Sequence, residues 1–274
     1  MAVAPRIAGM APDTWRRHRP LLKSLFKREV SHRYKGSILG LAWTFVAPLT
    51  VMIAYSIVFH YVYRVVDISF YPLFLLSGMV TWFFFAGAAQ GSASSLVANG
   101  NLVKKVRFPR ELIPLSVVGG HAVTAVSMLV VLIPINLIVV ADSRSTALLA
   151  LPVGLLFLSL LTIGFSLLLA ALNVYFRDVE HILLALLLPW FFLTPIFYTP
   201  DQLPAGAEQF QWLAAVLEWG NPIAPFVTLI RDAIFVGVWS SPAVFIYCAV
   251  VGVGTLVLGI WAFRRLEAEM AVEL

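Results

Sequence analysis

LIPLSVVGGHAVTAVSMLVVLIPINLIVVA, residues 112–141, runs for 30 residues between Glu111 and Asp142 without an Asp, Glu, Lys or Arg. A helix needs about 20 predominantly apolar residues to cross the hydrocarbon core of a bilayer, so this stretch is long enough to span one. Five further gaps resemble it. Runs of 28, 36, 32, 20 and 31 residues without those charges lie between Lys35 and Arg64, Asp67 and Lys104, Arg144 and Arg177, Glu180 and Asp201, and Asp232 and Arg264. Together they predict six spans, near 37–62, 72–95, 114–140, 148–174, 181–199 and 242–263. The fold class is an all-α polytopic membrane protein.

Composition excludes the alternatives. Of the 274 residues, 61% are hydrophobic and 12% charged, with a mean hydropathy of +0.91. That charged share is about half the usual one, and a soluble domain so composed would expose apolar patches everywhere. Disorder, coiled coil and a secreted disulfide scaffold fall together. The single cysteine, Cys248, has no partner for an internal disulfide and says nothing of redox compartment. The first long apolar run follows about 35 residues of basic, Pro-containing chain, a pattern that predicts no cleavable signal peptide.

Charge sets the orientation. The segments before span 1, between spans 2 and 3, between 4 and 5, and after 6 carry 9, 4, 1 and 2 Lys/Arg, 16 of the 19. The opposite loops hold Arg64, Arg144 and Arg231. Short basic loops stay in the cytoplasm, so both termini are expected there. Residues 1–35 then form a cytoplasmic N-terminal segment, 36–264 the transmembrane domain and 265–274 a cytoplasmic tail. The net charge of +5 alternates with the spans, as a nucleic-acid patch would not.

Three segments are not plain spans. In PLLKSLFKREVSHRYK, 20–35, Leu21, Leu22, Leu25, Phe26 and Val30 share one helical face, with Lys23, Lys27 and Arg28 elsewhere. Pro20 suits a first turn, and the pattern fits an amphipathic helix in the cytoplasmic interface or a solvated lead-in that only obeys the charge rule. Asn101–Glu111, NLVKKVRFPRE, is a compact basic loop holding Pro109, long enough for one or two helical turns. In 201–241, Phe210, Leu213, Ala214 and Leu217 space as i, i+3, i+4, i+7, a short amphipathic helix. NPIAPFVTLI, 221–230, is too short and Pro-rich to cross. Irregular backbone at membrane depth must be buried in protein or line an aqueous cavity, so 201–241 is expected to be an external gate of re-entrant helices.

The chain lacks a phosphate loop, H-E-x-x-H, C-x-x-C and G-x-S-x-G. Neither ATP, metal nor hydrolase chemistry is signalled in it. His18, His32, His60, His121 and His181 have no ligand spacing. For His60 and His121, within spans 1 and 3, a helix-packing hydrogen bond competes with a proton relay. Coupled carriers place acids and bases at mid-membrane, and these spans hold none besides the His, so the energy must come from a partner if the protein pumps. Gly36/Gly40 and Gly87/Gly91 allow close helix packing. Trp82, Phe83, Phe84 and Phe85 offer faces on which sugar rings can stack in a channel; an interfacial belt or ordinary packing also explains them.

Several stretches, taken in order, resemble the membrane subunit of ABC-2 type exporters of the polysaccharide branch, the permeases for O-antigen, capsule, teichoic acid and galactan precursors. Arg33–Leu49, RYKGSILGLAWTFVAPL, is similar to the family's N-terminal pattern, and Asn101–Pro114, NLVKKVRFPRELIP, to its central one. Tyr175–Val179 reads YFRDV, followed by FFLTPIFY at 191–198, then Asn221-Pro222 and Arg231-Asp232.

The resemblance implies a membrane-spanning permease of an ATP-driven exporter for a polyprenyl-pyrophosphate-linked polysaccharide in a bacterial plasma membrane. The chain itself would be no enzyme and hold no cofactor, with ATP and Mg bound by the partner. A second copy of the chain and two ATPase subunits would complete the transporter. Asn101, Lys104, Lys105, Arg107, Phe108, Pro109, Arg110 and Glu111 would couple to the ATPase, with Arg177 and Asp178 in a second contact over 175–181. Asn221, Pro222, Arg231 and Asp232 would belong to the external gate. At the headgroup level Arg28, Arg33 and Lys35 would receive the pyrophosphate, or else only fix topology and bind anionic lipid. An ABC-2 exporter of a drug or lipid is the alternative cargo reading. An integral-membrane glycosyl- or phosphotransferase is a third, against which stands the lack of acids or His at one depth; capping explains Asp178 more simply than catalysis does.

Overall fold

The computed structural model describes residues 12–34, 42–62, 68–106, 108–140, 145–199 and 211–270. Among them no strand occurs, and ten α-helices carry the fold. These are α1 (Pro12–Tyr34), α2 (Trp43–Tyr55), α3 (Tyr71–Ala98), α4 (Gly100–Lys105), α5 (Leu112–Val139), α6 (Leu151–Tyr175), α7 (Asp178–Leu193), α8 (Gln211–Ala215), α9 (Ala224–Arg231) and α10 (Pro242–Glu267). Wider π-helical turns continue α2 over Ser56–Val62, α8 over Val216–Gly220 and α9 over Asp232–Val236. A tight turn, Thr146–Ala150, leads into α6.

Among the described residues four helices are long and apolar enough to cross a membrane: α3, α5, Thr146–Tyr175 and α10, of 28, 28, 30 and 26 residues. At 1.5 Å per residue each reaches roughly 40 Å, more than the ~30 Å hydrocarbon core. Pro72, Pro152 and Pro242 stand in the first turns of α3, α6 and α10, where a missing N–H leaves no bond unmade. Two expected spans are shorter. The first is α-helical for 13 residues from Trp43 and π-helical for the next 7. The fifth, expected over 181–199, ends at Leu193 and has 16 residues. Pro195 is the reason: its ring bars the preceding residue from helical geometry, and Thr194 is extended at φ −86°, ψ 131°. Gly36, Gly40, Lys35, Arg107 and Phe210 lie outside the described residues.

α3 is the hub, buried along its length from Tyr71 to Leu96 and packed against α5, α6, α7 and α9. The expected approach at Gly87 and Gly91 occurs between α3 and α5. A Cβ on Gly87 would stand 2.5 Å from His121 Nδ1, and one on Gly91 2.9 Å from Val117. The tightest pair is α6 with α10. There the backbone at Gly164 meets Thr255, that at Gly259 meets Gly164, and that at Gly252 faces the Phe157 carbonyl. Bare backbones let axes approach closely where lipid offers no hydrophobic drive between helices. Facing outward, Val130, Ile138, Leu156, Ile246, Val250 and Val257 are exposed, an apolar belt suited to hydrocarbon.

One end of the bundle gathers Leu25 of α1 with Leu96, Val103, Ile113, Val174, Phe263 and Met270 in a compact cluster. α1 and the close of α10 therefore meet at this end, called the terminal end below. α1 is a helix, as its pattern predicts, but its apolar face packs largely on protein: Leu25 is buried, and Phe26 lies against Gly119 of α5, where a Cβ would come within 3.0 Å of its ring. The far end holds the 194–199 turn, α8 and α9.

Candidate transport machinery at the two ends of the bundle

At the terminal end, α3 stops at Asn99 and the chain turns into α4. Asn99 Nδ2 donates to the Ser95 carbonyl at 2.8 Å, and its Oδ1 accepts from Arg28 Nη2 at 2.5 Å, so α1 is fastened to the start of the basic loop. Val103 is buried and anchors α4, while Asn101, Lys104, Lys105 and Val106 are exposed. Phe108, Pro109, Arg110 and Glu111 turn back against the bundle and are half-buried. The basic loop thus divides into an outward half and an inward half.

The inward half reaches the end of α10. Helix termini leave backbone carbonyls without partners, and those of Leu266 and Glu267 are taken from outside the helix. Tyr175 Oη, closing α6, donates to Leu266 at 2.6 Å, and Arg110 Nη1 donates to Glu267. A cation at a helix C-terminus also meets the negative end of its dipole. Arg264 Nε lies 3.6 Å from Glu111 Oε1. With Arg264 well exposed, that ion pair is worth ~0–1 kcal/mol. Burial, and then the like charge of Glu267, push the Glu111 carboxyl above its ordinary pKa, and Arg264 pulls it back.

Arg177 and Asp178 are exposed beside Phe176 at the same end. Asp178 lies in the first turn of α7 but does not cap it; Asn173 Oδ1 accepts the Glu180 N–H at 3.0 Å instead. Sequence reasoning assigned that cap to the wrong residue, because Asn173 lies on the preceding helix, α6, seven residues before the Glu180 N–H that it accepts. Arg28 is exposed apart from its bond to Asn99, whereas Lys35 and the Arg33 side chain lie outside the described residues.

The far end is built on buried polar groups. Asn221, 8% exposed, joins α7 to the turn before α9. Its Oδ1 accepts from Trp190 Nε1 at 2.9 Å and from the Ile223 N–H at 3.1 Å, while its Nδ2 donates to Thr194 Oγ1 at 2.9 Å. Pro222 follows at intermediate burial, and α9 is buried except at Thr228, which is half-buried. Arg231, 5% exposed, donates to the carbonyls of Pro195 and Ile196, each at 2.9 Å, with its guanidinium carbon 3.9 Å from the Phe74 ring centroid. Gly78 faces that guanidinium with bare backbone; a Cβ there would strike it. Tyr71 Oη donates to the Phe197 carbonyl at 2.9 Å. Asp232 accepts from Ser240 Oγ at 2.6 Å, and Asn136 Nδ2 donates to the Ile234 carbonyl at 3.0 Å. The carbonyls of Pro195, Ile196 and Phe197, in the turn where Pro195 breaks α7, are therefore satisfied by α3 and α9, as buried irregular backbone requires. Asn136 escaped sequence reasoning, although a lone Asn in the apolar run VLIPINLIVV was its signal.

Trp82, Phe84 and Phe85 are buried inside the chain and Phe83 is half-buried. Trp82 meets Trp190 edge-on with ring centroids 6.0 Å apart, and Phe85 packs against Phe165 at 5.2 Å.

These features define an all-helical membrane protein with a basic loop presented at one end and a pinned, buried turn and short helix at the other. Residues 20–235 match the family described as ABC-2 type transporter, and the chain belongs to that family. It is 37% identical over 214 residues to the O-antigen export system permease protein RfbA of Myxococcus xanthus, covering 77% of this chain and 78% of that one. A Klebsiella pneumoniae protein of the same name is 30% identical over 92% of this chain and 93% of its own length. The polysialic acid transport protein KpsM of Escherichia coli is 26% identical over 91% of this chain and 94% of its own.

Proposed function

We propose that the chain is the permease subunit of an ATP-driven exporter that carries a polyprenyl-pyrophosphate-linked polysaccharide out of the bacterial cytoplasm. The observation that carries this reading is end-to-end similarity to O-antigen export permeases, 30% identity over 92% of the chain. In this reading α2 and α7 complete a set of six spans, both termini are cytoplasmic, and two copies of the chain enclose the path. A separate ATPase, two copies per transporter, holds ATP and Mg. The exposed Lys104, Lys105 and Val106, with Phe176, Arg177 and Asp178 exposed at the same end, meet the ATPase at the terminal end. Arg28, exposed on α1 at that surface, joins Arg33 and Lys35 in receiving the anionic pyrophosphate. The 201–241 segment, with Asn221, Pro222, Arg231 and Asp232, gates the outer side, and of the run Trp82–Phe85 the half-buried Phe83 borders the glycan's path, the other three being packed inside the chain.

Reconstitution with the cognate ATPase and candidate lipid-linked glycans tests this. Glycan-stimulated ATP hydrolysis and transfer across the vesicle membrane are expected. Stimulation by a drug or an unglycosylated lipid in place of every glycan would replace the reading with another cargo. Failure to associate with the ATPase would remove it altogether.

A further inference from the structure

Covalently, the basic loop belongs to α3 and α5, which it connects. Two side-chain ties give it another connection, and a third fastens the helix that they reach. Arg110 donates to the last carbonyl of α10, Glu111 faces Arg264 one turn earlier, and Tyr175 at the end of α6 donates to the carbonyl of Leu266. Two different chain segments thus converge on the final turn of one helix. That helix is the one whose backbone lies directly on α6 at Gly164, Gly252 and Gly259. A pair so close-packed moves as a body, because interiors at this density have little room for sliding.

We infer that Arg110, Glu111, Arg264 and Tyr175 are positioning residues that hand displacement of the basic loop to the α6–α10 pair, a route separate from the covalent one into α3 and α5. The inference rests on the proposed function, in that the displacement originates in ATPase contact with the exposed half of the loop. The Glu111–Arg264 pair, with Arg264 43% exposed, adds little to static stability. The ties instead fix the angle at which the loop is presented and the helix that responds.

The test uses the full chain reconstituted with its ATPase, reading export per ATP hydrolysed. Arg264→Glu sets two acids against each other, and Tyr175→Phe removes one hydroxyl. Both variants are expected to assemble with the ATPase and to lose export per ATP by at least roughly fivefold, the low end of ordinary coupling between sites. The charge swap Glu111→Arg with Arg264→Glu should recover most of the loss, which general destabilisation would not allow. Hydrogen exchange on the permease alone supplies the second readout: both single variants should loosen amides at 108–111 and 264–267 together. Wild-type export per ATP in Arg264→Glu, or failure of the swap to rescue, would overturn the inference while leaving the exporter intact. Absence of stimulated hydrolysis in the wild-type complex would overturn the proposed function and the transmission route with it.

Discussion

The two ends of the molecule solve one problem in opposite ways. Each contains a broken or ended helix whose carbonyls need donors, and each supplies an arginine and a tyrosine. At the far end Arg231 and Tyr71 serve the turn after α7, and the three residues whose carbonyls they take, Pro195, Ile196 and Phe197, are buried. At the terminal end Arg110 and Tyr175 serve the close of α10, half in contact with water. Water can replace a lost donor at the terminal end. It cannot at the far end, where an orphaned carbonyl keeps its full desolvation penalty. The far-end anchor is therefore expensive to break, and the terminal-end ties, open to water, are cheaper to break.

The largest effect should follow from breaking the buried arginine. Arg231→Met leaves the Pro195 and Ile196 carbonyls without donors, and a loss of about 3 kcal/mol follows from two charge-assisted bonds. Gly78→Val should do similar damage without touching Arg231, because its side chain occupies the guanidinium's place. Thermal unfolding in detergent or nanodiscs measures both. A melting temperature unchanged in Arg231→Met would show that the contrast in burial carries no energy.

A smaller effect separates the ends by pH. Burial raises the folded-state pKa of Glu111 above its ordinary value of 4.5. A carboxyl so shifted favours folding while protonated, so its contribution is full below the ordinary value and is lost as pH rises through the raised one. Relative to Glu111→Gln, the wild type should therefore lose thermal stability over that window as pH increases. Parallel curves for the two proteins would contradict the environment assigned to Glu111.

Much of this was legible in the sequence, for reasons that the residues show. Gaps free of charge located the four long apolar helices because charge in hydrocarbon is expensive, whereas Pro72, Pro152 and Pro242, which stand at three helix starts, were a signal left unread. α7 fell short of its expected end at 199 because Pro195 outweighed an uncharged run. The basic loop was legible as one motif, but its division into exposed lysines and a pinned Arg110–Glu111 depends on α10, more than 150 residues away along the chain. Arg231 likewise read as a loop charge, since its partners are backbone carbonyls 35 and 36 residues upstream and carry no sequence signature. The aromatic run 82–85 read as channel lining or packing, and three of its four side chains are buried.

The smallest effect on folding and the largest on function should coincide at the exposed lysines. Lys104 and Lys105 stand in solvent with Val103 as the anchor beneath them, so reversing both to Glu should change stability by no more than about 0.5 kcal/mol. The same variant tests the central claim, that this end engages an ATPase. At matched expression, Lys104→Glu with Lys105→Glu should melt like the wild type yet fail to co-purify with the ATPase or to export glycan. Wild-type co-purification together with wild-type export would contradict the account.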